Sequence, residues 1–347
     1  MDSTKPVITK ETKNKISVDY EGKLSVKERL RRKLKASHTW AKAIINVFRF
    51  ILMLGVSYVI LFPFFSKVAG SFMSKSDVVD ATVSLIPKNF TLDIYKYVIT
   101  ENMYFKAFFN TLAIALICAL IQTFVACLVG YGLAKFKFKG NGLIMALVVV
   151  TMIIPHTTLE LSMIRHFNAF ELGHIMSFEK KGLFELILGK PLSLENTFAP
   201  LIVLSVCGLA LKNGLYIYLM RQFFKGVPDE LEESAYVDGS GTFRTFLQII
   251  LPLSVPMMIT IFLFSFSWQW TDQFYIGMFI KDGAIWMFPD IKTVPASLYN
   301  PSFGAAALYN SIIYNTVGIM IIFPLVIMYL FCQKYLVQGI ERSGLVG

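Results

Sequence analysis

Cysteine is scarce, with four residues in a chain of 347. Cys118, Cys127, Cys207 and Cys332 each stand alone in an apolar stretch, with no close pair and no metal-type spacing. That pattern excludes a disulfide scaffold and a cysteine-ligated metal centre, and reads as small buried hydrophobes. Histidine is equally rare, at four residues, so no Ser-His-Asp or Cys-His set can be assembled. No pair of carboxylates stands out for acid–base chemistry either, and the chain does not read as an enzyme. His156 and Glu160 lie one helical turn apart, but two ligands do not close a metal site. A phosphate-binding G-x-x-x-x-G-K-[ST] loop is missing, and the nearest approach, Gly182 to Lys190, has the wrong spacing. Nucleotide binding of that type is therefore excluded, and no cofactor is expected.

Charge is sparse as well, at 16% of residues, whereas 55% are apolar and the mean hydropathy is +0.59. A soluble core of this length cannot bury so much apolar surface, so membrane lipid is the expected solvent. The net charge of +10 would point to nucleic acid in a soluble protein. Here the basic residues sit in the tail and in short loops beside apolar segments, which speaks against a nucleic-acid partner. Six windows reach the roughly 20 residues a spanning helix needs: 44–66, 107–134, 142–163, 198–220, 253–280 and 308–332. Their continuous apolarity excludes the alternation of a β-barrel strand. The fold class is thus an all-α polytopic membrane protein with six transmembrane helices.

An even number of spans places both ends on one side. Lys135, Lys137, Lys139, Arg221, Lys225, Arg244, Lys334 and Arg342 then share the cytoplasmic side with the basic tail 1–43, and the positive-inside rule makes both termini cytoplasmic. The tail ends in KERLRRKLK, far longer than a signal-peptide leader, and Leu24 to Lys35 is expected as a basic helix on the inner leaflet. Residues 44–106 hold the first span and an outer segment, 107–336 the main transmembrane domain, and 337–347 a cytoplasmic tail. Prolines 63, 155, 200, 256 and 324 and the polar Gln122, Lys212, Gln269, Asp272 and Asn315 fall within the spans. In lipid such groups need internal partners, so they either bond between helices or line a solute path. Gln122, His156, Glu160, Trp268, Gln269, Asp272 and Asn315 are the candidate pathway-lining residues, with Trp268 a belt residue or a sugar-stacking platform.

The inner loop at 228–252 has the composition of a folded element. Asp229 is expected to cap a short helix with Glu232 three residues on, and Gly239 to end it in a left-handed conformation. Leu231, Ser234 and Ala235 share one face beside the acidic Glu230 and Glu233, forming a knob with an acidic edge. After Gly-Ser-Gly, Thr242 is expected to cap a second helix carrying Phe243, Phe246, Leu247 and Ile250, which Pro252 ends.

Glu233-Ser234-Ala235, Gly239 six residues after the glutamate, and Ile249, Leu251 and Pro252 resemble the EAA loop of ATP-binding-cassette importer permeases. The family usually has Ala where Ser234 stands. Asn110-Thr111-Leu112, GYGLAKFKFKG, MIIPHTTLE, QWTDQF and the terminal YLVQGIERSGLVG are similar to carbohydrate-uptake members of that family. The resemblance implies a type I importer permease fold in which the loop helix couples to an ATPase through Glu230, Glu232, Glu233, Ser234, Ala235, Asp238 and Gly239. It also implies the partners: two ATP-binding subunits, a second homologous permease subunit, an extracytoplasmic solute-binding protein and a sugar, plausible as an oligosaccharide or uronate-rich fragment. The alternatives are an importer of the same class for an amino acid, peptide or anion, and an ion-coupled carrier, which would show two repeats and buried carboxylates. The outer stretch at 164–197 is longer than such permeases usually carry, and is either a docking extension or a tolerated insertion.

Overall fold

The computed structural model describes residues 37–171, 183–281 and 283–342. The expected helix at Leu24 to Lys35 and part of the outer stretch at 164–197 lie outside them. Two units are distinguished. The first runs through Ser66, and its described part belongs to α1, Ser37–Gly70. The second, from Lys67 onward, carries α2 (Lys75–Val79), α3 (Asp93–Thr100), α4 (Tyr104–Lys135), α5 (Asn141–Ile153), α6 (Glu160–Asn168) and α7 (Leu183–Leu188). It continues with α8 (Ala199–Val206), α9 (Asn213–Lys225), α10 (Glu230–Val237), α11 (Thr242–Trp270), α12 (Phe274–Phe279) and α13 (Ala306–Arg342). Among the described residues there is no strand, only two isolated bridges, Met73 with Phe90 and Phe170 with Leu192.

Four of the six expected spans are continuous helices long and apolar enough to cross a bilayer: Ile44–Gly70, Tyr104–Lys135, Thr242–Trp270 and Ala306–Val337. The other two are broken. The window at 142–163 bends by 94° between Asn141–Ile153 and His156–Asn168. Pro155 at that break has no N–H to continue the ladder and forces Ile154 into an extended conformation. The window at 198–220 divides into α8 and α9, with Gly208 and Lys212 both at positive φ in the connection. Hydropathy averages across a window and does not register either interruption.

α4 is the axis of the second unit, packing on α8, α9 and α11, while α11 packs on α13. Small residues set the closest approaches, as expected where lipid gives helices no hydrophobic drive to associate. A Cβ at Gly130 would lie 2.6 Å from Met220 Cβ, and one at Gly214 would lie 2.6 Å from Thr151 Oγ1. Asn102 Nδ2, just before α4, donates to the carbonyls of Ile291 (2.9 Å) and Thr293 (2.8 Å). The Trp286 indole returns a 2.8 Å bond to Asn102 O, tying the segment before α4 to the one after α12.

Candidate functional site

The candidate residues fall into two sets: those of the loop between α9 and α11, and those spread over α4, α6, α11, α13 and the segments beside them.

In the loop, α10 begins with three acids, Glu230, Glu232 and Glu233, in its first turn, where the positive end of the helix favours them. Its far end is a Schellman turn: Ser240 N–H donates to Ala235 O (2.9 Å) and Gly239 N–H to Tyr236 O (3.0 Å). Gly239 has φ +81° and a Cβ there would meet nothing within 4 Å. The glycine is required by backbone conformation, not by space.

The entry of the helix differs from expectation. Asp229 makes no side-chain cap; its carboxylate instead takes the ammonium of Lys135, from the last turn of α4, 94 residues away in sequence. Lys135 Nζ also donates to Val227 O at 2.7 Å, and its side chain is only 7% exposed. A nearly buried cation has more to gain from a carboxylate than backbone N–H groups open to water do. The Lys135 pair holds the Asp229 carboxyl below its ordinary range.

The faces of α10 are also redistributed. Glu232 and Ala235 turn into the body of the protein, at 8% and 5% exposure, so Ala235 is not part of the outward knob. Leu231, Ser234, Glu230, Glu233, Val237, Asp238 and Gly239 face outward. Burial pushes the Glu232 carboxyl above its ordinary value, with Lys135 opposing that shift. Its Oε1 has no hydrogen-bond partner, and the Tyr131 side chain beside it packs on Phe246 with ring centroids 4.8 Å apart and the rings tilted by 39°. Phe246 and Ile250 are buried while Phe243 is 71% exposed.

Pro252 does not end the second helix. Thr242–Trp270 runs through it as one element, because the turn at Phe246–Ile250 widens to π geometry, with Leu251 N–H donating five residues back to Phe246 O. Widening the turn relieves the proline ring's clash with the carbonyl four residues earlier. Thr242 supplies no capping bond; Gly241 holds that position.

The candidate pathway residues separate into groups. Gln122 is buried and fully used: Nε2 donates to Ser205 Oγ (3.0 Å) and Oε1 accepts from Ser265 Oγ (2.7 Å). It clasps α4, α8 and α11, so both ends of its amide are occupied within the chain. His156 Nδ1 is bonded to the Tyr275 hydroxyl. Glu160 is exposed at the start of α6, and Asn315 is half-buried on α13. Trp268 is 49% exposed and carries Lys212 Nζ over its ring at 5.0 Å from the centroid. Gln269 is buried with Nε2 unpartnered. Asp272 caps α12, accepting through Oδ1 from Phe274 N–H (2.9 Å) and Tyr275 N–H (3.1 Å), and leaves Oδ2 unpartnered.

Between the two breaks lies a cavity of about 450 Å³ bounded by Thr151–Thr157, Gly208–Leu215 and Phe274. A second, of about 540 Å³, continues past His156 toward Phe167 and Cys207. Among the described residues no group of three or more His, Cys, Asp or Glu is placed to hold a metal. Sequence reasoning passed over Lys135 as a mere topogenic charge and missed Asn213 altogether. The lysine in the last turn of a span, six residues before Asn141, carries no local sign that its partner lies in another loop.

Residues 123–342 match the family model described as "Binding-protein-dependent transport system inner membrane component". The chain belongs to that family and is a multi-pass membrane component. It is 27% identical over 316 residues to "Protein LplC" of Bacillus subtilis (strain 168), covering 89% of this chain and 97% of that one. The "Arabinooligosaccharides transport system permease protein AraQ" of the same organism is 28% identical, covering 86% and 94%. The "Polygalacturonan/rhamnogalacturonan transport system permease protein YtcP", also from B. subtilis, is 26% identical, covering 87% and 97%. Among solved structures, a chain of a "bacterial ABC transporter involved in the import of the acidic polysaccharide alginate" superposes with a TM-score of 0.62 at 19% identity, covering 85% of this chain and 97% of that one. That likeness shows the fold.

Proposed function

We propose that the chain is the permease subunit of an ATP-binding-cassette importer for a sugar, most simply an oligosaccharide, and forms half of its translocation pathway. It pairs with a second homologous permease, receives solute from an extracytoplasmic binding protein, and is driven by two separate ATP-binding subunits, with both termini cytoplasmic. The observation that carries this reading is α10: a short helix fixed at one end by Lys135 and at the other by the Gly239 turn, offering an acidic and apolar outer face. A fixed helix transmits motion to the spans where a loose loop dissipates it. Glu230, Glu233, Ser234 and Asp238 contact the ATPase in this account, while Glu232, Ala235 and Gly239 hold the helix in shape. The saccharide solute is supported by the names of the relatives. The outer stretch at 164–197 extends the docking surface for the binding protein; Glu171 anchors its base by accepting from Phe184 N–H (2.9 Å) and Glu185 N–H (2.7 Å).

The test is reconstitution of the full complex in liposomes. Glu233→Lys is expected to abolish solute import driven by ATP, and deletion of 172–182 to abolish binding-protein-dependent transport while the inner complex still assembles. Wild-type import in the Glu233 variant would remove the coupling assignment, and unchanged transport after the deletion would remove the docking one.

A further inference from the structure

The last turn of α4 meets the first turn of α10 at two points in register. Lys135 and Tyr131 lie one turn apart on α4, and so on one face of it. Asp229 and Glu232 stand three residues apart at the start of α10. Lys135 takes Asp229, and Tyr131 lies beside Glu232 and Tyr236. The first point is closed and the second is open. Among the described residues, the Tyr131 hydroxyl and Glu232 Oε1 are both buried without a hydrogen-bond partner, although a phenol is a donor and a carboxylate an acceptor. Two complementary groups left unjoined away from water are costly, and a small displacement that joins them removes the cost. The tyrosine ring is not the part free to move. It packs on Phe224 of α9 and Phe246 of α11, with centroids 5.5 and 4.8 Å away, and Phe136 covers it at 5.5 Å. α10 is held less widely: Glu232 and Ala235 are its buried residues, and Leu231, Tyr236 and Val237 are exposed. The displacement therefore falls to α10, turning about the Lys135–Asp229 contact.

We infer that Tyr131 and Glu232 are a latch of positioning residues: the hydroxyl donates to the carboxylate when α10 turns about its Lys135 pivot, and the closed bond carries that movement into α4, α9 and α11, which meet at the Tyr131 ring. A bond absent in one conformation and made in another is the two-state element that coupling between distant sites requires. Lys135 fixes where α10 sits, and Tyr131 registers how far it has turned. The latch rests on the reading of the chain as an ATP-driven permease.

The test uses the reconstituted permease–ATPase complex with its binding protein, and arabinotriose or tri-galacturonate, whichever wild type imports. Tyr131→Phe removes the hydroxyl and keeps the ring, Glu232→Met removes the acceptor at similar length, and Glu232→Gln keeps an acceptor. Each of the first two is expected to cut solute imported per ATP hydrolysed about fivefold with hydrolysis retained, and the double variant to fall no further. Glu232→Gln is expected to stay within about twofold of wild type. A wild-type ratio in Tyr131→Phe, or single losses that multiply in the double variant, overturns the latch. A loss in Tyr236→Phe equal to that in Tyr131→Phe does the same, since it moves the partner from Glu232 to the other nearby hydroxyl. Melting of the complex without nucleotide and trapped with vanadate gives a second readout, which needs no solute and only Tyr131→Phe. The hydroxyl is expected to raise the melting temperature in one of the two states only; an equal effect in both, or none in either, overturns the latch. If wild type hydrolyses ATP but imports neither saccharide, the sugar reading fails, and the melts alone decide the latch.

Discussion

The loop at 228–252 and the breaks at Pro155 and Gly208–Lys212 are held together in different ways. At the loop, Lys135 reaches both Asp229 and Val227 O, and the end of α10 satisfies its carbonyls through Ser240 and Gly239. At the breaks, Asn213 has no partner for either amide atom and the helices stand apart around a cavity of about 450 Å³. A helix clamped at both ends suits an element that must move as one body; a cavity between broken helices suits an element that must bind something. Under the proposed function, the difference corresponds to force in one region and recognition in the other.

The comparison breaks most severely if the axis helix is displaced, since both regions hang on α4. Gly130→Val places its Cβ within 2.6 Å of Met220 Cβ, and overpacking of this kind costs about 1–3 kcal/mol. A lowered melting temperature of the purified complex, with lost import, is expected; an unchanged melt would show that α4 and α9 do not need this contact. Next in size is Gln122→Leu, which strands Ser265 and removes one of the two bonds of Ser205, and is expected to cost roughly 1–2 kcal/mol. Thermal unfolding in detergent checks it, and because the clasp is separate from the cavity, binding of solute by the folded fraction is expected to persist.

These expectations rest partly on features the sequence displayed and partly on ones it concealed. The four continuous helices followed from length and apolarity alone. The breaks did not, because Pro155 and the Gly208–Lys212 connection interrupt windows whose average hydropathy stays high. Pro252 was misread for the converse reason: the proline rule is local, and the π turn at Phe246–Ile250 that accommodates it has no signature in residue types. Asp229 fits a capping site by every local criterion, yet Lys135 claims it across 94 residues, a tertiary competitor that no local pattern contains. Helical periodicity grouped Leu231, Ser234 and Ala235, but could not say that the body of the protein lies on the Ala235 side. Gly239 was legible because a left-handed C′ position narrows the choice to one residue type.

A smaller effect sharpens the rigidity of the loop. Gly239→Ala leaves free space but forces an L-residue to φ +81°, a strain of about 1 kcal/mol. Import is expected to fall a few-fold, and faster amide exchange at Val237–Ser240 is the accompanying measurement. The smallest concerns Glu232. Its carboxyl is raised by burial, so docking of α10 favours the protonated form and weakens as pH rises through the folded value. Glu232→Gln removes that dependence; a melting profile between pH 4 and pH 8 is expected to decline for wild type and to stay flatter for the variant.

Under the proposed function, the division of labour between the two regions turns on Lys135. In the reconstituted complex, the ratio of solute imported to ATP hydrolysed is measured for Lys135→Met against wild type. Loss of the clamp is predicted to cut import about tenfold while hydrolysis persists, so that the ratio collapses; a ratio equal to wild type, with both activities intact, would contradict the account.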